Sequence, residues 1–321
     1  MISIKRYASE DRLQWDGFVN SSKNGTFLFL RDYMDYHSDR FSDHSLLFHK
    51  DGKLFAILPA HERDGEKDGK VAKEFCSHFG LSYGGLVMNA DCTAALVIES
   101  FKVLKEYLKA NGFHTLYYKC IPWCYHQLPS EEDLYAMTYI FDNVRLMKRE
   151  IATLIIQSNK PRWRKDRRRA LKRAQTNGLE VIDQTDFSEF WQLLNQNLAD
   201  KHNAKPVHTL DEINLLRSRF PENIKLFEAR QDGKLLGGLV IYITKQVVRG
   251  QYSSATAEGK AIGAMDIIKQ YILNEHFTDY PFFDFGISTE DGGKYLNEAL
   301  ISQKEGFGGR GMVYDTYEIE L

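Results

Sequence analysis

Leu226-Phe-Glu-Ala-Arg-Gln-Asp-Gly-Lys-Leu235 reads as two strand-forming segments joined by a turn. Asp232-Gly233 suits the positive φ of a tight turn, so a hairpin of strands 224–229 and 234–244 is expected. The pattern has an earlier counterpart, Leu46-Leu-Phe-His-Lys-Asp-Gly-Lys-Leu54, which predicts a hairpin of strands 45–48 and 54–59 around Asp51-Gly52. In both halves helices precede the hairpin. In both, a long helix then leads into an aromatic strand, Tyr107 to Tyr118 in the first and Tyr271 to Phe285 in the second. This ordered series points to a duplicated α/β unit, although an α/β chain also repeats such elements without duplication.

Working outward, helical spacing and capping signals predict helices beginning at Ser9 and over 27–41, 93–110, 187–200, 210–219, 261–277 and 294–304. Strands are expected at 86–88, 113–120, 247–255, 281–286 and 312–319. The turn cluster Ser158-Asn-Lys-Pro161 places a boundary near residue 157, giving domains 1–157 and 158–321. Strand exchange between the halves would blur it.

The chain has 321 residues, which favours two domains over one. Its 43% hydrophobic and 27% charged content can bury a core, and 13% aromatic residues suggest large aromatic-lined cores or grooves. A net charge of −2 gives no global field toward nucleic acid or membrane. Residues 160–173 nevertheless carry nine Lys/Arg and one Asp, a local +8, so the remainder sums to −10. Cys76, Cys92, Cys120 and Cys124 form no disulfide framework, and neither cysteine nor histidine spacing completes a metal site, so no metal is expected. Met1-Ile-Ser-Ile-Lys-Arg-Tyr7 lacks a signal-peptide core, and the longest apolar stretches are strand-sized. A soluble, cytoplasmic protein without membrane insertion is expected. No Gly-x-Ser-x-Gly elbow supports a serine hydrolase.

The series Glu228-Ala-Arg-Gln-Asp-Gly-Lys-Leu-Leu-Gly-Gly-Leu-Val240, then Tyr252-Ser-Ser-Ala-Thr256, then Phe283-Asp-Phe-Gly286, then Lys304-Glu-Gly-Phe-Gly308 resembles the C-terminal half of Fem-type (FemAB-like) proteins. Arg167 to Gly178 is similar to the segment that opens their second domain. The resemblance covers residues 160–321 well and the first half in outline. It implies an α/β (α+β) fold of two tandem GNAT-like domains, each a mixed, mostly antiparallel sheet flanked by helices. It also implies transfer of an acyl or aminoacyl group to an amine of a cell-surface, glycan or peptidoglycan-type precursor, in a cleft between the domains. The donor would be aminoacyl-tRNA, or acyl-CoA (acetyl-CoA) as in the wider GNAT fold. The substrate partner would be a small molecule or nucleotide-linked glycan, with tRNA as a further partner.

Within that expectation the cofactor turn is Ala257-Glu-Gly-Lys-Ala-Ile-Gly-Ala264, where Gly259, Lys260 and Gly263 would approach a pyrophosphate at a helix start. Glu258 stands among those donors, and the usual acyl-CoA signature is poorly matched. Lys304, at a helix end, would meet phosphates or developing negative charge, as the resemblance implies, or would simply favour the helix dipole. Asp284, between two phenylalanines, is a candidate for proton transfer or for capping the next loop. Tyr252 could donate a proton to a leaving group, and Ser253 could line the acceptor groove. Glu290 is a candidate for recognising an amine acceptor; the other reading is a polar loop with a helix start. On the basic helix expected from Lys160 to Arg173, Arg164, Arg167, Arg168 and Lys172 are candidates for holding anionic substrate; the other reading is a solvated face neutralised elsewhere. Two further functions stay open, an acetyl-CoA-dependent N-acetyltransferase of a sugar nucleotide or small amine, and a non-catalytic module binding anionic glycan or RNA.

Overall fold

Both Asp-Gly pairs adopt the same backbone, with φ of 49° and 79° at Asp51-Gly52 and 49° and 78° at Asp232-Gly233. Positive φ at both central residues is the turn whose twist matches antiparallel strands. Each hairpin also carries a register shift opposite the same place in its first strand, Phe48/His49 and Ala229/Arg230, with the extra residue, Phe55 or Leu236, on the second strand. The computed structural model describes residues 1–67, 69–202 and 204–321, and the chain divides into two units, Met1–Glu150 with Val313–Leu321, and Ile151–Met312.

In the first unit, β1 (Ile2–Arg6) is followed by α1 (Arg12–Ser21), α2 (Arg31–Met34), β2 (Ser42–Asp43) and the hairpin β3 (Leu46–Lys50) and β4 (Lys53–Leu58). A second hairpin, β5 (His61–Lys67) and β6 (Lys70–Cys76), leads through β7 (Val87–Met88) to α3 (Ala94–Ala110), β8 (Phe113–Lys119) and α4 (Glu132–Ile140). One sheet runs β1–β3–β4–β7, antiparallel throughout. In the other, β2, β5 and β6 are antiparallel and β6 then pairs in parallel with β8. Helix α3 begins at Thr93, whose hydroxyl accepts from the Leu96 N–H. It buries Val97, Phe101, Leu104 and Leu108 against Phe48, Phe75 and Leu116, a spacing that puts all four on one helix face.

Strand β9 (Val144–Ile156) carries the chain into the second unit. There follow α5 (Lys165–Thr176), β10 (Glu180–Gln184), α6 (Ser188–His202), α7 (Leu210–Arg219), β11 (Ile224–Gln231), β12 (Lys234–Ile243) and β13 (Val247–Ala255). Then come α8 (Ala257–Ile262), α9 (Ala264–Tyr271), β14 (Phe282–Ile287), β15 (Thr289–Glu290), β16 (Tyr295–Leu296), α10 (Glu298–Glu305) and β17 (Arg310–Glu320), whose end returns to the first unit. Strands β10 to β13 are antiparallel neighbours, β13 and β14 are parallel, and β14 is antiparallel to β9. Ala264, Ile268 and Ile272 pack against Phe227, Leu236 and Phe283 to form the core. The mixed, mostly antiparallel α/β architecture agrees with the expected fold class.

Four of the expected helices differ from the sequence reading. The segment 27–41 is three short helical pieces, because Leu30 is extended (ψ 144°) and breaks the ladder. The helix expected over 261–277 is cut at Gly263 (φ 96°) and ends in a π turn over Ile272–His276. The basic helix starts only at Lys165, after Arg164 with ψ 152°. The helix expected from Lys294 starts after Asn297, whose side chain accepts from the Leu300 N–H at 3.0 Å.

Candidate active site

Strands β13 and β14 pair in parallel over only three positions, Val247 with Phe282, Val248 with Phe283 and Arg249 with Asp284. Beyond Arg249 and Asp284 the paired register stops, and a cavity of about 50 Å³ lies there, walled by Gly250, Ser253, Phe283, Phe285, Phe307 and Lys304 among others. Ser253 and Gln303 also line an outer cleft of about 370 Å³, which runs to Asn197, Ser254 and Lys260.

Lys304 reaches the inner cavity from α10 and is only 9% exposed. Its Nζ donates to the carbonyls of Gly286 at 2.9 Å and Ile287 at 2.6 Å. Those carbonyls are presented by a local turn. Gly286 has φ 73°, a conformation that favours glycine, and its N–H donates to Asp284 Oδ1 at 2.7 Å. Asp284 is fully buried and faces the Arg249 guanidinium at 3.4 Å. Burial pushes the Lys304 ammonium down to about 7; Asp284 opposes that shift, while Arg249 and Lys269 add to it.

A second buried lysine, Lys269 of α9, borders the same cavity. It lies 4.8 Å over the Phe307 ring. Burial lowers it to about 8, Asp266 partly offsets this, and Arg167 adds to it. Asp266 in turn faces Arg167 at 3.2 Å. Neither Lys269 nor Asp266 was singled out by sequence reasoning. The available signal was helical spacing, since 266, 269 and 273 share a face with buried Leu273, where a lysine is out of place.

The other candidates divide between the cleft and its surroundings. Ser253 lines both cavities, while Ser254 lines the outer cleft alone and Tyr252 lines neither. Tyr252 packs edge-on against Trp191 of α6 at 5.1 Å and its hydroxyl lies 2.5 Å from His208 Nδ1. Ser254 accepts from Asn197 Nδ2 at 2.6 Å. Asp284 and Tyr252 therefore stand behind the cavity walls. Lys260 is on the outer cleft, whereas Gly259 and Gly263 are packed against backbone. A Cβ on Gly259 would come within 2.0 Å of Leu236 O, and one on Gly263 within 2.3 Å of Ala170 O. Thr256 Oγ1 already takes the Gly259 N–H, and Glu258 pairs with Lys234. Glu290 is on exposed β15 and accepts from Asn297.

The basic helix does not converge on this cleft as a unit. Arg164 is held by Asp166 and Ser302, and Arg167 by Asp166 and Asp266. Lys172 is exposed. Arg168 lines a separate cavity of about 340 Å³ with Lys160, Arg162 and Trp163. No group of side chains suited to hold a metal occurs among the described residues.

Residues 161–294 match the family model described as an acetyltransferase (GNAT) domain. The second unit carries a GNAT acetyltransferase domain. The whole chain is similar in structure to FemX, with a TM-score of 0.69 and 9% identity over 99% of this chain and 97% of that one. A conserved protein of unknown function from Bacteroides thetaiotaomicron aligns over 100% of both chains at TM-score 0.63 and 13% identity. L-PGS from Bacillus licheniformis aligns over 97% of this chain and 91% of its own at TM-score 0.58 and 13% identity. At these identities the neighbours speak for the fold alone, and it is the FemX-like GNAT fold over the full length. No curated protein matches the sequence. The acetyltransferase domain makes the chain an acyltransferase, with its specificity open. No helix among the described residues is long and apolar enough to cross a membrane.

Proposed function

We propose that the second unit transfers an acyl group from an activated donor to an amine, with the reacting carbonyl in the inner cavity and Lys304 beside its oxygen. The observation that carries this reading is Lys304 itself, a buried ammonium fixed on two backbone carbonyls at the point where β13 and β14 part. The amine nitrogen attacks the carbonyl carbon, and the carbonyl π electrons move to oxygen, which Lys304 stabilises. Collapse expels the donor's leaving group, and the proton lost by the amine ends on that group or in solvent. A cation preorganised at a developing oxyanion supplies about 3–4 kcal/mol of barrier lowering. No side chain forms a covalent intermediate, so positioning does the rest.

The cleft walls carry Lys260, Lys269 and Lys304 and no carboxylate. Such a field disfavours an ammonium, so the acceptor enters as its free base. Asp284 positions the Gly286 turn that holds Lys304, and Tyr252 with His208 braces β13 beside Ser253. The match to an acetyltransferase domain favours acyl-CoA as donor, with Lys260 meeting its phosphates. The second reading is an aminoacyl-tRNA donor, which the Fem-type resemblance implies and the basic face of α5 would suit. The acceptor class is the amine of a cell-surface or glycan-linked precursor.

The test is turnover with acetyl-CoA and with aminoacyl-tRNA against a panel of amine acceptors, comparing the wild type with Lys304→Met. The charged form of Lys304 is the active one, so the rate limb that it governs declines as pH rises through about 7. Lys304→Arg moves that limb to higher pH. Full turnover by Lys304→Met would remove the reading.

A further inference from the structure

Acyl transfer as described sets Lys304 on the reacting oxygen and gives Lys269 no direct contact with the reacting groups. Lys269 is 7% exposed, borders the inner cavity, and donates no hydrogen bond to a described residue. Its contacts are the Phe307 ring and the field of Asp266. That carboxylate is already engaged by Arg167, as Asp284 is by Arg249. Around the cavity four cations, Arg167, Arg249, Lys269 and Lys304, face the carboxylates of Asp166, Asp266 and Asp284, and none of these carboxylates lines the cavity. A buried ammonium without a hydrogen-bond acceptor is costly, and an anion entering the cavity would relieve that cost. The cavity is small, about 50 Å³. That is room for about three or four water-sized groups.

We propose that the inner cavity is a subsite for a short acyl group ending in a carboxylate, its carbonyl beside Lys304 and its carboxylate on Lys269. This rests on the transfer reading and names the donor class within it: a half-acyl dicarboxylate or a small acidic acyl group. The room left beyond the carbonyl takes one methylene and a carboxylate. A cationic acyl side chain would meet two like charges without a counterion, and a long aliphatic chain would meet Phe283, Phe285 and Phe307.

Calorimetric titration of the full chain with propionate and with neutral propionamide tests the subsite without any turnover. Propionate binds, propionamide does not, and Lys269→Met weakens propionate by about tenfold or more. Equal binding of both compounds, no binding of propionate, or an unchanged affinity in Lys269→Met overturns the proposal. An unfolding midpoint for Lys269→Met at or above that of the wild type shows that the variant is folded. A second titration series compares acetyl-, propionyl-, malonyl- and succinyl-CoA. A malonyl preference of about tenfold over acetyl and propionyl, lost in Lys269→Met, supports the assignment of the carboxylate to the acyl group. A subsite for propionate combined with no such preference overturns that assignment, and failure of every donor to turn over counts separately against the transfer reading.

Discussion

The two parallel strand pairs, β6/β8 and β13/β14, have the same surroundings in topology and opposite fates. Each lies between an antiparallel hairpin partner and a further antiparallel strand. In the first unit the register Glu74–Thr115, Phe75–Leu116 and Cys76–Tyr117 is continued by the chain that leaves β6. The Ser77 N–H donates to Tyr117 O at 2.9 Å, and Ser77 Oγ accepts from the Lys119 N–H at 2.7 Å. Lys119 Nζ closes the loop on Leu81 O, and Gly84 passes so near that a Cβ there would lie 2.0 Å from Ser77 O. In the second unit the chain leaving β13 turns into α8 instead. The opening between the strands is left to a cavity, and Lys304 enters from α10. One parallel pair is sealed by its own loop, and the other is held open by a glycine turn and a buried lysine. Under the proposed transfer reading, the difference places the reacting groups at the open pair of the second unit.

The largest expected effect compares the two lysines. Lys304→Met lowers kcat/KM by about 10²–10³. Lys119→Met leaves turnover within about threefold while lowering stability, since the hydrogen bond of its Nζ to Leu81 O is lost. Equal losses in activity would break the comparison.

Next in size are the two crowded glycines. Gly84→Ala and Gly259→Ala each put a Cβ 2.0 Å from a backbone oxygen, Ser77 O and Leu236 O. Each should cost about 2–4 kcal/mol in urea unfolding. Hydrogen exchange should localise the first loss to β6/β8 and the second to β12 and α8.

A third prediction uses acid. His37, His61 and His78 cluster in the first unit, with ring centroids 5.2 Å apart for His37–His78 and 5.3 Å for His61–His78. Burial lowers all three, His61 from 6.5 to about 4. The unfolded chain therefore binds more protons below pH 6.5 than the folded one. Stability of the first unit is present above that pH and is lost as pH falls from 6.5 toward about 4. Exchange protection in β5 and β6 should drop before that in β13 and β14; simultaneous loss would erase this distinction.

The smallest effect has the opposite sign to the first. Lys304 is lowered by burial from 10.5 to about 7, so the folded state resists its charge across that range. Lys304→Met should raise the melting temperature near pH 7.5 by about 3–6 °C, and the gain should shrink toward pH 10.5. An inactive but more stable protein marks a residue kept for chemistry.

Much of the fold was legible because hairpins and capped helices are local. Asp232-Gly233 fixes its turn by φ alone, Thr209 starts α7 with a capping box, and β13 is found at its expected limits. The β5/β6 hairpin and β9 were missed because they carry His61-Glu-Arg-Asp64 and Arg145 to Glu150, whose charges hide the alternation of a strand. Lys304 stood out through its motif. Lys269 did not, because its burial depends on Phe307, far along the chain. The glycines of the 257–264 turn looked like a phosphate loop from composition, while their neighbours in space are Leu236 and Ala170.

Hydrogen exchange with and without saturating acetyl-CoA tests the central claim most directly. The account predicts slowed exchange in residues 250–260 and 284–307, with 73–77 and 113–119 unchanged. Protection of the β6/β8 segments instead, with β13 and β14 unaffected, would contradict it.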